Sequence, residues 1–426
     1  MTTETPGPYS GERFSARSRA YTQLHSTADF VFVSEWIGRS SQNQSRIARI
    51  PVVGGSVIGQ TPDRDVLLGT GFSDNNLGHR GVSNITDGTG KLFANVAHHA
   101  STPSVSESPG LDPDNLVAWD PQLGSGSTSY LKMWMNPYTG EKWTSWRDGF
   151  QNIRIWKQSE PGGSLTQITG TDNSPFARVG SSSWLYQWGQ GVAFGPDGVV
   201  FVTFSEFFEP HGSRVMRKAF VARSDDNGAT WRRMDGTQHV GNNSALMRVW
   251  DSNIDEAFTG PNTIASMTLT PAGTPLVGIH LRGAESTEML GTAVARWNGE
   301  SWDETTINES EPASGGVQWL QTDDFVGIIQ TDRTDGRVYV WWSSDDGVSW
   351  QRHLLLAPDN PIHGFSVDPF AWGNHGRLRV MSARTPIDGL TVSDVTESTI
   401  IEFMPPGLVN ARNGTLTAVG GTLTAA

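Results

Sequence analysis

Five of the ten histidines in this chain fall at equivalent places in a repeated strand–turn–strand unit. His79, His98, His99, His280 and His363 stand just before the first strand of a unit or just after its second. Arg80, Arg282, Arg333 and Glu206 occupy the same kinds of position, as does the aromatic run Trp184, Tyr186 and Trp188. Imidazole titrates near neutral pH and can take up a proton, and guanidinium neutralises carboxylates. Indole and phenol rings offer flat apolar faces with a polar edge. Gathered at one mouth, such a set could remove a proton beside a carboxylate or hold a polyhydroxylated ligand. Taken singly, each histidine is more commonly a hydrogen-bond partner of a strand-end carbonyl.

The elements that must position these residues repeat. Gly81 to Gly88 leads into Lys91 to Val96, Val192 to Gly198 into Val199 to Phe204, and Ser266 to Gly273 into Pro275 to Ile279. Weaker copies are Val317 to Ile329, Phe365 to Met381 and Tyr21 to Trp36. Outer strands follow, ending in tryptophan hairpins at Trp231, Trp302 and Trp350. Two of these hairpins share the pattern S-x-D-x-G-x-[TS]-W, in Ser224, Asp226, Gly228 and Trp231, and in Ser343, Asp345, Gly347 and Trp350. The carboxylate can cap turn N–H groups, the glycine supplies positive φ and the tryptophan buries a large ring, so these residues are structural. Gly140-Glu141-Lys142-Trp143 and Gly299-Glu300-Ser301-Trp302 read as degenerate versions. A spacing of about 50 residues per unit predicts an all-β chain forming a single β-propeller of four-stranded blades. The count is about six, with seven as the alternative. Residues 21–405 form this propeller, 1–20 an N-terminal arm, 99–129 a long loop inserted in the second blade, and 406–426 a Gly/Thr-rich tail repeating Gly-Thr-Leu-Thr-Ala.

The paired hairpins resemble the Asp-box, or BNR repeat, of sialidase-type β-propellers. Arg49-Ile50-Pro51 is similar to the R-I-P motif of sialidases. That family implies an arginine triad, a Tyr–Glu nucleophile pair and an aspartate acid, for which only Tyr186 and Asp74 are candidates here. The stretch from His79 through Asp87-Gly88 to His98-His99 resembles a blade motif of propeller polysaccharide lyases. That resemblance implies β-elimination with His79, Arg80, His98 and Tyr186 as the acting groups. The C-terminal repeats resemble the ends of actinobacteriophage tail proteins. They imply a minor tail or receptor-binding protein, located in the virion or outside the cell, that contacts other tail proteins through its terminal segments and self-associates as a homo-oligomer. The leading expectation is recognition of a cell-surface glycan or polysaccharide by Trp184, Trp188, Glu206, His280, Arg282, Arg333 and His363. A glycan-degrading enzyme, lyase before sialidase-like hydrolase, is the alternative.

Composition narrows the classes. The 426 residues include 48 Gly and 17 Trp, with only 18% charged residues, as suits many short strands and turns. There is no cysteine, which excludes disulfide and thiolate chemistry. The net charge of -13 disfavours nucleic acid and anionic membranes as partners. No apolar run is long enough for membrane insertion, and no secretory signal is legible in residues 1–19. His98-His99 point to opposite faces of any regular strand, and no other metal motif is present, so neither metal nor cofactor is expected.

Overall fold

The computed structural model describes residues 3–6, 23–39, 42–70, 82–96, 104–119, 129–148, 152–169, 176, 183–187, 190–208, 215–237, 247–251, 264–282, 289–308, 317–332, 336–357, 362–384 and 397–405. They form seven antiparallel sheets, six of them built from strands that follow one another in the chain. Blade 1 runs from Leu24–Ser26 to Arg64–Thr70, blade 2 from Asn84–Thr86 to Val117–Trp119, and blade 3 from Ser129–Met135 to Leu165–Gln167. Blade 4 runs from Ser183–Tyr186 to Met247–Asp251, blade 5 from Ile264–Leu269 to Trp302–Asn308, and blade 6 from Gln318–Gln321 to Gln351–Leu356. Blade 7 begins at Ile362–Val367, and its outermost strand is the N-terminal segment Thr3–Pro6.

That last pairing closes the ring. Thr3 lies opposite Glu402 and Pro6 opposite Thr399, so part of the expected N-terminal arm belongs to the propeller. Where blade 7 meets blade 1, fully buried Arg379 donates to Glu402 at 2.6 and 2.8 Å and to Ser26 at 2.5 Å, with Asp368 at 3.3 Å. One cation between two carboxylates leaves no charge buried alone.

The seventh blade is blade 3, which the sequence reading passed over. Its innermost strand carries Lys132 and its second strand opens on Lys142, both buried, and these lysines break the apolar pattern. The Lys142 ammonium lies 3.4 Å from the centroid of the Phe93 ring in blade 2, and Lys132 Nζ donates to the Gln187 carbonyl in blade 4. Burial pushes both lysines well below their ordinary value. Gly140-Glu141-Lys142-Trp143 therefore marks the turn between the first two strands of this blade, not an Asp-box hairpin. Likewise, the segment expected as a loop over 99–129 contains Ser104–Ser108 and Val117–Trp119, the third and outermost strands of blade 2.

Apolar packing is divided among the blade junctions. Trp134 and Trp143 of blade 3 pack with Leu185, Val192 and Phe204 of blade 4, and comparable clusters fill the other junctions. The two Asp-boxes sit in hairpins between third and fourth strands. Asp226 accepts from Ser224 Oγ at 2.8 Å, Thr230 N at 2.7 Å and Thr230 Oγ1 at 2.6 Å. Asp345 repeats this with Ser343 and Ser349. Burial pushes both carboxyls up, but these hydrogen bonds outweigh it and hold them below the usual carboxylate value. Gly228 (φ +86°) and Gly347 (φ +82°) abut the preceding blade: a Cβ would meet Trp143 Cη2 or Leu276 Cδ2 at 2.8 Å.

Candidate functional site at the loop end of the axis

Each blade has two ends. First-to-second and third-to-fourth strand turns lie at one, the turn end. Second-to-third strand hairpins and blade-to-blade connections lie at the other, the loop end. Strand lengths make the loop end uneven. In blade 1 the second and third strands, Phe30–Arg39 and Gln42–Pro51, are 10 residues each. In blade 4, Val200–Phe208 and Val215–Ser224 have 9 and 10, and in blade 5, Pro275–Arg282 and Met289–Trp297 have 8 and 9. The same strands in blades 3 and 6 have 6, and their hairpins close tightly at Asp148–Asn152 and Asp332–Arg337. At about 3.3 Å per residue, these strands in blades 1, 4 and 5 are roughly 7–13 Å longer than those of blades 3 and 6. In a seven-membered ring, blades 4 and 5 lie across the axis from blade 1.

Toward the loop end the packing turns polar. Each second strand carries a buried polar residue in its second half: Glu35, Asn95, Ser145, Ser205, His280, Gln330 and Ser382. Five of them bond across blade junctions. Asn95 Nδ2 donates to Leu131 O at 3.3 Å, Ser205 Oγ accepts from Ala265 N at 3.3 Å, and Ser145 Oγ donates to Gln187 Oε1. Gln330 Nε2 lies 2.8 Å from His280 Nε2 and 2.7 Å from Thr292 Oγ1.

Blade 3 presents an unusual feature at this end. Tyr130 has φ +61°, a left-handed conformation that is costly for a bulky side chain. The cause is a β-bulge: Ser129 pairs with Arg147 and Lys132 with Ser145, so Tyr130 and Leu131 together face Trp146. The Arg147 guanidinium lies 4.8 Å from the centroid of the Tyr130 ring. A phenol, on a residue 5% exposed, and a partly exposed cation are thus held together at the loop end of blade 3. Sequence reasoning missed both, because the bulge that re-aims Tyr130 leaves no signature in residue types.

Several expected residues fall elsewhere. His79, Arg80, His98, His99, Trp188, Arg333 and Asp74 lie outside the described residues, as do the C-terminal repeats. Trp184 and Tyr186 belong to the first piece of the split inner strand of blade 4, opposite Phe207 and Ser205, and Glu206 is opposite Leu185. Arg282 ends its strand at a bulge opposite Met289, and His363 falls at another, between the pairs Ile362–Arg384 and Gly364–Ala383. All of these belong to the loop end. His280 does too, but it is 1% exposed and joins blades 5 and 6, which fits a structural histidine rather than an open contact. Arg49 of the R-I-P motif is held in blade 1 by Asp63 at 2.8 and 3.0 Å and by the Leu111 carbonyl at 2.7 Å, away from the mouth. Trp341 and Trp342 are buried within blade 6.

The inner strand of blade 4 is interrupted between Tyr186 and Val192, and Gln190 reaches the neighbouring blades. Gln190 O accepts from Met267 N of blade 5 at 2.7 Å, and Gln190 Oε1 accepts from Trp319 N of blade 6 at 2.9 Å. Below it, toward the turn end, lies a cavity of about 330 Å³ lined by residues of blades 2 to 7. Gln190 and Gln318 both line this cavity.

No family model and no curated protein matches the sequence. Solved structures do. The polysaccharide lyase Uly1 is 12% identical, with 94% of this chain and 98% of that one covered and a TM-score of 0.65. A PL25 ulvan lyase bound to a glucuronate–sulphated rhamnose oligosaccharide is 13% identical over 94% and 96%, with a TM-score of 0.65. The WD40 domain of Toxoplasma gondii coronin is 9% identical over 98% and 88%, at 0.52. At these identities the likeness is one of fold, and the chain is a seven-bladed β-propeller.

Proposed function

We propose that the protein is a lyase that cleaves a uronate-containing polysaccharide by β-elimination at its loop end. The observation that carries this reading is Tyr130, strained into a left-handed backbone beside Arg147, at the loop end of blade 3. β-Elimination requires a cation to neutralise the uronate carboxylate, which acidifies the neighbouring C–H. A base then takes that proton, the C–H electron pair forms the new double bond, and the glycosidic oxygen leaves with a proton from an acid. Arg147 supplies the cation and Tyr130 the acid. His79 and His98 are the candidate bases, with Arg80 as a second cation. The propeller lyases that share this fold over almost their whole length support the same chemistry.

The test is incubation with a panel of uronate-containing and neutral polysaccharides, following ultraviolet absorbance and reducing ends together. Both should rise, and only with uronate polymers. Reducing ends without absorbance would indicate hydrolysis. Retention without product, weakened by Trp184→Ala, would establish a recognition module, as a phage tail protein would need.

A further inference from the structure

Toward the turn end, blades 2 to 7 converge on the axial cavity of about 330 Å³, and no charged residue lines it. Its polar side chains are Gln190, Thr268, Gln318, Gln321 and Asn374, drawn from blades 4 to 7. A carboxamide donates through its nitrogen and accepts through its oxygen. Three of these carboxamides keep bonding capacity beyond what the described residues take up. Gln190, half-buried, accepts from Trp319 N through Oε1, which leaves Nε2. Asn374, exposed, donates to Ser26 O through Nδ2, which leaves Oδ1. The side chain of Gln321 is exposed and bonds to no other described residue. Between these groups the wall carries the half-buried rings of Phe194 and Phe370.

We infer that this cavity binds a neutral, hydroxyl-rich ring of the size of one hexopyranose. A sugar hydroxyl donates and accepts at one atom, which matches side-chain amides and the Thr268 hydroxyl, groups that do both. The faces of Phe194 and Phe370 suit the C–H face of such a ring. A uronate or a sulphated sugar would lose its hydration there without a counter-charge. A wholly apolar ring would displace water from the amides without replacing its hydrogen bonds. The volume matches the lower range of small-molecule sites. Tyr130 and Arg147 do not line this cavity, and the inference is independent of the lyase reading.

The probes are the methyl glycosides of glucose, galactose, mannose and rhamnose, with methyl glucuronide as the charged match and cyclohexanol as the apolar one, titrated calorimetrically into the full chain. At least one neutral hexoside should bind saturably. Cyclohexanol should bind at least about tenfold more weakly, and so should the glucuronide, compared in the Arg147→Ala chain so that loop-end binding does not enter. Gln321→Leu and Asn374→Leu, each checked for an unchanged circular dichroism spectrum, should weaken the hexoside about fivefold to tenfold, as loss of a neutral hydrogen bond predicts. Arg147→Ala should leave hexoside affinity in place. If Asn374→Leu fails to fold, Gln321→Leu, at an exposed position, carries the test. No saturable hexoside binding, glucuronide or cyclohexanol bound as tightly as the hexoside, or hexoside affinity untouched by folded Gln321→Leu would overturn the proposal.

Discussion

The two ends of the propeller axis are built from the same seven blades and differ in almost every physical respect. At the turn end, the first-to-second strand turns of blades 1 to 6 are short, the two Asp-boxes repeat one hydrogen-bond pattern, and no charged residue lines the axial cavity. At the loop end, hairpins vary in length, a buried polar layer replaces the apolar one, and bulges fall at Tyr130, Arg282 and His363. A repeat can hold its fold through one end while the other diverges, because the strands between them are fixed by packing at each junction. Backbone strain at Tyr130 is thus supported by blade 3, whose other contacts are regular.

That contrast can be broken most forcefully at the loop end. Arg147→Ala and Tyr130→Phe should each lower turnover of a uronate polymer by about a hundredfold or more, with melting temperature little changed. Equal losses of stability and turnover would make the pair structural. Arg379→Ala should act in the opposite way. It strands Asp368 and Glu402 at the ring closure and should cost about 3–5 kcal/mol in denaturant unfolding, whereas the loop-end variants leave that quantity near wild type.

Acid should sharpen the same division. Burial lowers His25 from an ordinary 6.5 to about 4, with Asp368 pulling the other way. The folded state therefore holds His25 neutral while the unfolded chain takes up a proton. Its contribution to stability is complete above pH 6.5, declines as pH falls toward about 4, and then levels off, a loss on the order of 3 kcal/mol. His25→Gln should flatten that limb of the stability–pH curve. The smallest effect belongs to one Asp-box: Asp226→Ala removes three hydrogen bonds at an exposed hairpin and should cost about 1–2 kcal/mol, with turnover unchanged.

The turn end was the legible one. Ser224, Asp226, Gly228 and Trp231 have fixed spacing because a local hairpin needs all of them within eight residues, and that constraint is written in the sequence. Blade 3 was hidden because Lys132 and Lys142 are buried through contacts with Gln187 and Phe93, residues distant in the chain. The strand Thr3–Pro6 was hidden for the same reason, since its partner is Glu397–Phe403. At the loop end, Tyr186 and Arg282 could be assigned to the right end by counting strands, but Tyr130 and Arg147 could not be singled out, because a bulge and not a motif brings them together.

A crystal structure of the protein soaked with a uronate oligosaccharide tests the account most directly. The account predicts a sugar chain lying between blade 1 and blades 4 and 5, with a carboxylate on Arg147 and the adjoining glycosidic oxygen within reach of the Tyr130 hydroxyl. Oligosaccharide bound at the turn end, or across the outer strands with Arg147 untouched, would contradict it.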